Sequence, residues 1–139
     1  MKDLNIYIKE ALKITKDSKV KNAYKYHPKN RLDLINCIRE ELTEQGPDAD
    51  LNCIDTANVV DMSFLFNDVN LDNKYVIRNI DISEWNTSNV KDMYAMFKDC
   101  KKFNCDLSKW DVSNVIDMDF MFTGCKSLKN IPDWFEGKK

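Results

Sequence analysis

"WNTSNVKDMYAMFKDC" at 85–100 and "WDVSNVIDMDFMFTGC" at 110–125 are two copies of one pattern, and each matched residue lies 25 positions after its counterpart. A first copy, "NVVDMSFLFNDV" at 58–69, precedes these two, which are the second and third; its Asn58 lies 31 positions before Asn89, because six residues are inserted in the polar run that follows it. Fixed periods of about 20–50 residues are typical of stacked structural units. The sequence therefore predicts three stacked repeats at 49–128, followed by a short remnant of a fourth.

Each repeat is predicted to contain one short helix. In the second copy, helical spacing places these apolar side chains on one face: Val90, Met93, Met96, Phe97 and Cys100. Asparagine is a favoured N-cap, and an acidic residue three positions later stabilises the positive end of a helix. The helix starts predicted in this way are the pairs Asn58/Asp61, Asn89/Asp92 and Asn114/Asp117.

A strand is predicted ahead of each helix. Phe103, Cys105 and Leu107 alternate with other residues and so share one face of an extended segment. One strand and one short helix in each repeat of this length are typical of leucine-rich repeats. The predicted fold class is therefore α/β, a short leucine-rich-repeat-like solenoid with a strand plus a short helix per repeat and an N-terminal helical cap.

The N-terminal region 1–48 is predicted to cap the stack, because a repeat array exposes its apolar interior at both ends. Its clearest element is a helix from Arg31 to Gln45, which Asn30 begins and Gly46-Pro47 ends. A second helix is predicted at 2–13 from its apolar spacing, and a strand at Val20–Tyr26.

The C-terminal region 129–139 is predicted to cap the other end of the stack. Trp134 and Phe135 are the large apolar side chains available there. Because aromatic side chains dominate burial energy in small domains, we expect them to cover the last repeat.

The repeated pattern resembles the BspA-like repeat of bacterial surface proteins, a relative of the leucine-rich repeat also found in mycoplasma and listerial lipoproteins. In the third copy the resemblance rests on these residues: Leu107, Trp110, Ser113, Asn114, Val115, Asp117, Met118, Met121 and Phe122. It covers roughly 50–128, and it implies an interaction scaffold without catalytic residues. The chain differs from the surface members in having few repeats and in lacking an export signal.

Composition is that of an ordinary folded protein, with 43% hydrophobic and 32% charged residues. A net charge of −2 argues against a nucleic-acid partner. The first segment, "MKDLNIYIKEALKITK", is charged every few residues, so it has no apolar signal core, and no apolar run is long enough to span a membrane. We therefore expect a cytoplasmic protein without a membrane partner, and five reduced, structural cysteines.

The sequence contains no recognisable catalytic or cofactor motif. His27 is the only histidine, and no zinc-type Cys/His spacing or glycine-rich phosphate loop accompanies it. The repeated aspartates Asp61, Asp92 and Asp117 suggest either helix capping or a calcium column, and capping is favoured because calcium loops are rich in glycine. We expect no enzyme activity, no cofactor and no metal.

The repeated aromatic and methionine residues are expected to form the core. Trp85 and Trp110 should stack one repeat apart. The methionines suggest either core packing or an adaptable binding groove, and their place on the packed helix face favours the core: Met93, Met96, Met118 and Met121.

A non-enzymatic protein-binding module is the predicted function, an intracellular adaptor or inhibitor encoded by a bacterium or by a phage, for example a counter-defence protein. The alternative is a structural role as a homo-oligomeric assembly module. On the helical wheel Phe64, Phe120 and their counterpart Ala95 point away from the packed face, and Tyr94 lies beside them. The predicted partner-binding residues of this outer face are Phe64, Tyr94 and Phe120.

Two alternatives to that outer surface remain open. If the helices are irregular, the wheel misplaces both phenylalanines and they are buried. The rival binding surface is the strand side that leucine-rich repeats commonly use, with these residues: Ser83, Glu84, Ser108 and Lys109.

Overall fold

The computed structural model describes residues 23–136. That part of the chain contains three helices, α1 (Arg31–Gln45), α2 (Leu65–Val69) and α3 (Asp133–Glu136). No strand forms in it; isolated parallel bridges instead join Tyr26 to Ile54, Asp50 to Asp81, Asp61 to Asp92 and Asp92 to Asp117. The helix predicted at 2–13 lies outside the described residues, and so do the first residues of the strand predicted at Val20–Tyr26.

The predicted strand-plus-helix solenoid is wrong. Of the three helices predicted in the repeats, only the one in the first repeat forms, as the five-residue α2. The second and third repeats have turns at the equivalent positions. The segment around Phe103 and Leu107 is likewise irregular rather than a strand. A left-handed residue stands at the same place in every repeat, Phe64, Ala95 and Phe120, with φ of 54°, 51° and 59°. Because an α-helix requires negative φ at every residue, these positions interrupt it.

Three turns per repeat set the path of the chain. In each, a side-chain oxygen accepts a hydrogen bond from the backbone N–H two residues later, as Asp92 does from Tyr94 at 2.9 Å. We call these the first corner (Asp50, Asp81, Asp106), the second corner (Asp55, Asn86, Asp111) and the third corner (Asp61, Asp92, Asp117). The first and second corners lie five residues apart and the second and third six, which leaves too little chain between them for regular helices or strands.

The asparagines predicted to cap helices instead join one repeat to the next. Asn89 donates through Nδ2 to the carbonyl oxygen of Ala57 at 2.8 Å, and Asn114 donates to that of Ser88 at 2.6 Å. Ala57 and Ser88 hold equivalent positions in successive repeats, so the two bonds form one column. The N-cap interpretation of these asparagines is wrong; parallel bridges do join matched residues of successive repeats, Asp61 to Asp92 and Asp92 to Asp117.

Helix α1 is where the sequence predicted it. The Asn30 side chain accepts from the N–H of Asp33 at 2.9 Å, and Gly46, with φ of 86°, ends the helix. The helix is fastened to the first repeat by two arginines, because Arg31 Nε donates to the Ser63 carbonyl at 2.6 Å and Arg39 Nη2 to that of Asp68 at 2.8 Å. These bonds satisfy carbonyl oxygens at the start of the stack.

A buried carboxylate completes that junction. Glu41, 3% exposed, accepts from Lys25 at 2.5 Å, from Tyr26 at 2.9 Å and from Gln45 at 2.5 Å. Burial alone would raise the pKa of this carboxyl, but the hydrogen bonds outweigh burial and lower it. Tyr26 also bridges to Ile54, so this segment connects α1 to the first repeat; the described part of the predicted strand forms that isolated bridge and not a strand.

The interior is built from aromatic columns, as the sequence predicted for Trp85 and Trp110. Their rings stack at 6.3 Å with an interplanar angle of 4°, and Trp134 continues the column at 6.3 Å and 7°. A second column runs through Phe66, Phe97 and Phe122 at 5.1 and 5.6 Å, with both angles 8°. The methionines predicted to be core are buried: Met93, Met96, Met118 and Met121.

Candidate interaction surface

Three aromatic side chains form a continuous row on the outside of the third corner. The ring centroids of Phe64 and Tyr94 lie 5.3 Å apart, and those of Tyr94 and Phe120 lie 5.7 Å apart. Phe64 is 37% exposed and Phe120 is 57% exposed, while Tyr94 is half-buried between them. We call this row the outer strip. The structure thus brings together the three residues predicted for the outer face.

The outer strip is positioned by backbone geometry rather than by helices. Phe64 and Phe120 each stand three residues after a third-corner aspartate, in the left-handed conformation. In the middle repeat that position is Ala95, which is fully buried, and Tyr94 presents its ring one residue earlier. The prediction that Ala95 points outward is therefore wrong. The alternative in which irregular helices bury both phenylalanines is also wrong, since both rings remain exposed.

Left-handed phenylalanines are unusual. The Cβ of an L-residue lies too close to the following carbonyl oxygen in this conformation, which costs about 1–2 kcal/mol relative to the right-handed region. Glycine avoids this cost, yet Phe64 and Phe120 occupy such positions. Strained residues of this kind cluster at functional sites because the surrounding structure must hold them in place.

Two further exposed apolar residues lie on the same side of the third corner. Val60 is 46% exposed and Ile116 is 84% exposed, each one residue before a third-corner aspartate. The backbone N–H of Lys91 donates to the carbonyl oxygen of Val60 at 2.8 Å, and the N–H of Ile116 donates to the carbonyl oxygen of Lys91 at 2.8 Å. These bonds place the three residues side by side. This column was not predicted from the sequence. The feature that could have indicated it is an apolar residue in the first and third repeats, Val60 and Ile116, at the position where the second repeat has Lys91.

The rival residues do not lie on a strand. Ser83 and Ser108 follow the first-corner aspartates, and each donates its backbone N–H to that aspartate, at 3.0 Å from Ser83 to Asp81. Lys109 and Glu84, both exposed, approach to 3.9 Å across the two repeats. The structure does bring the four residues together, but as a polar group whose hydrogen bonds are partly satisfied within its own turns.

The groups that carry acid–base or nucleophilic chemistry elsewhere are structural in this fold. Burial raises the pKa of the Cys100 thiol to about 12 and that of Cys125 to about 11, so both are protonated near neutral pH and are poor nucleophiles. All five cysteines are free of disulfides. His27 is exposed and lies 3.4 Å from Asp55.

The aspartates of the corners use their oxygens as turn acceptors. In the third corner, Asp61 accepts from both the N–H and the hydroxyl of Ser63, at 2.8 and 2.7 Å. Between residues 23 and 136, no group of three or more His, Cys, Asp or Glu side chains is arranged to hold a metal ion. Turn capping, rather than helix capping, is therefore the observed role of these residues.

No helix of the described chain is both long and apolar enough to cross a bilayer.

A family model described as "Mycoplasma protein of unknown function, DUF285" matches residues 39–138, a stretch that contains all three repeats. Neither the curated proteins nor the solved structures provide a match to the chain.

Proposed function

The chain belongs to the family described as Mycoplasma protein of unknown function, DUF285, and we propose that it is a non-enzymatic module that binds another protein through the outer strip. The observation that carries the proposal is the exposure of the Phe64 and Phe120 rings, at 37% and 57%. The left-handed backbone recurs at buried Ala95 and so belongs to the repeat, but the exposed rings contribute little to folding. A binding role accounts for their exposure.

The chemistry of the strip suits a protein partner. Aromatic side chains surrounded by less critical contacts are the usual anchors of protein interfaces, where a few residues carry most of the binding energy. Phe64, Tyr94 and Phe120 form a row of rings, and Val60 and Ile116, each one residue before a third-corner aspartate, are further exposed apolar residues of the same corner. An apolar cluster of this kind favours a partner that inserts apolar side chains between the rings.

The finer parts of the proposal concern relatives and setting. Kinship with BspA-like repeats, an intracellular adaptor or inhibitor role in a bacterium or phage, and a cytoplasmic location all remain proposals that rest on the sequence. The alternative function is a homo-oligomeric assembly module. Light scattering of the full chain at micromolar concentration distinguishes the two, because an assembly module is not monomeric under those conditions.

The experiment that tests the proposal compares two surfaces of the same folded chain. A tagged full-length protein captures partners from a lysate of its native host, and the captured protein is then bound to two double variants. Phe64→Ser with Phe120→Ser disrupts the outer strip, and Glu84→Arg with Lys109→Glu alters the rival turns. We expect the strip variant to weaken binding by about 30-fold or more, the loss for a hot spot of about 2 kcal/mol.

The rival variant serves as the matched control and should bind as wild type does. Circular dichroism melting of both variants checks that the fold is retained. Loss of binding in the rival variant alone would assign the site to the first-corner turns and contradict the outer strip.

A further inference from the structure

Backbone N–H groups of the third corner join each repeat to the next. From the first repeat to the second, Met62 donates to the Asp92 carbonyl at 2.8 Å and Phe64 to that of Tyr94 at 2.8 Å. From the second repeat to the third, the donors are the backbone N–H groups of every second residue. They are Met93, Ala95, Phe97 and Asp99, at distances of 2.8, 2.9, 3.0 and 2.7 Å from the carbonyl oxygens of Asp117, Asp119, Met121 and Thr123.

The third repeat carries the same donors without the same acceptors. Its N–H groups at the equivalent positions are those of Met118, Phe120, Phe122 and Gly124, which we call the donor edge. Among residues 23–136 no backbone carbonyl accepts from any of the four. The chain continues into α3, whose Trp134 stacks on Trp110 and whose Phe135 ring packs on that of Phe122 at 5.0 Å, but no carbonyl of α3 accepts from the four N–H groups. The donor edge is thus the place where a further repeat would bind.

Along the donor edge the backbone N–H groups are available as hydrogen-bond donors, whereas the carbonyl oxygens of the same residues are already paired. The carbonyl of Met118 accepts from the N–H of Met121 at 3.3 Å, that of Phe120 from Thr123 at 3.2 Å, and that of Phe122 from Cys125 at 3.1 Å. An ordinary strand edge alternates donors and acceptors, whereas from Met118 to Gly124 this one presents N–H groups alone. Its complement is therefore a segment that presents carbonyl oxygens at every second residue.

We propose that the donor edge binds an extended segment of a partner protein, which adds one further parallel rung to the stack through its backbone carbonyls. This inference rests on the proposed function and locates a second part of the same interface, because Phe120 belongs to both the outer strip and the donor edge. The side chains beneath, Met118 and Met121, are already buried, so the partner contributes backbone hydrogen bonds rather than core.

A second copy of this chain does not fit the donor edge. Two donor edges brought together would oppose N–H to N–H. The carbonyls that would complement the edge in a head-to-tail stack lie at the start of the first repeat, where the Ser63 carbonyl already accepts from Arg31 Nε at 2.6 Å and α1 packs against the repeat. The occupant is therefore another protein.

Amide hydrogen exchange of the full-length, ¹⁵N-labelled protein tests whether the edge is open. The matched controls are in the same molecule: the N–H groups of Met93, Ala95, Phe97 and Asp99 are paired, and those of Met118, Phe120, Phe122 and Gly124 should exchange at least about 100-fold faster. Slow exchange of the second set at every protein concentration would mean that the chain covers its own edge. Slow exchange only at high concentration would mean that a second copy binds there. Either result overturns the proposal.

A synthetic peptide then tests what the edge binds. The probe has the sequence of residues 114–124, the segment whose carbonyls receive the N–H groups of the second repeat. The control is the same peptide with the four accepting carbonyl oxygens, those of residues 117, 119, 121 and 123, replaced by sulfur, which is a weaker hydrogen-bond acceptor. We expect the probe at saturation to slow exchange of the donor edge by about 10-fold or more and to leave Met93 and Phe97 unchanged. An equal effect of the sulfur-substituted peptide, or no effect of the probe, would overturn the proposal.

The two proposals fail separately. If the strip variants lose the captured partner but the peptide leaves the donor edge unprotected, only the edge inference is wrong. If the peptide protects the edge but the strip variants keep the partner, only the assignment to the outer strip is wrong.

Discussion

Aromatic residues repeat in two places in this molecule, and the two places differ in geometry. In the inner columns the rings of Trp85 and Trp110 are parallel within 4°, and those of Phe66 and Phe97 within 8°. In the outer strip the corresponding angles are 58° and 82°, between Tyr94 and its two neighbours. The inner rings are buried, whereas the phenylalanines of the strip are exposed.

The difference distinguishes the aromatic residues that stabilise the fold by packing from those that lie on its surface. Parallel stacking follows from the repeat, because equivalent buried residues one repeat apart must adopt the same orientation to pack. The outer rings are not confined by packing and settle into tilted, edge-to-face contacts. The inner columns therefore hold the stack together, and the outer strip lies outside that packing.

The largest expected effect comes from emptying an inner column. Phe97 packs between Phe66 and Phe122 and lies 4.3 Å from Phe103 by ring centroids, so Phe97→Ala should lower the free energy of unfolding by about 3–5 kcal/mol. Denaturant unfolding measures the change. The matched substitution in the outer strip, Phe120→Ala, should cost about 1 kcal/mol or less, since that ring is more than half exposed. Equal losses would erase the distinction between the two sets.

A smaller effect is expected in the asparagine column that runs beside the aromatic ones. Asn114 donates to the Ser88 carbonyl, so Asn114→Asp replaces a donor with an acceptor and should cost about 1–2 kcal/mol. Asn30 accepts a hydrogen bond at the start of α1, where aspartate caps equally well, and Asn30→Asp should change stability by less than about 0.5 kcal/mol. Thermal melting of both variants at pH 7 gives the comparison. A neutral Asn114→Asp would restore the capping interpretation.

These two asparagines also show how far the sequence could predict the fold. Asn30-x-x-Asp33 and Asn114-x-x-Asp117 are the same motif, and helical apolar spacing follows both. The first starts a 15-residue helix, and the second forms a turn. What separates them is the neighbouring repeat, whose carbonyl at Ser88 captures the asparagine side chain. Local patterns contain no information about a contact 26 residues away.

The repeat period was the stronger signal. Residues that recur at a fixed spacing were expected to stack, and the tryptophans do so because stacking requires only equivalence. The period also identified the residues of the outer strip, although the helical wheel gave the wrong reason and misplaced Ala95. The donor edge could not be predicted, because it follows from the direction in which N–H groups point along the stack.

The most direct measurement is the unfolding free energy of the double variant Phe64→Gly with Phe120→Gly, set against Ala95→Gly. All three positions are left-handed, so glycine relieves the same backbone strain in each, but only the double variant removes the rings of the outer strip. Relief of strain offsets the partial burial that is lost, and both variants should lie within about 1 kcal/mol of wild type per substitution. The double variant should at the same time lose the captured partner, which Ala95→Gly should retain. A loss of more than about 3 kcal/mol per ring in the double variant would place Phe64 and Phe120 in the core and contradict a binding role for the outer strip.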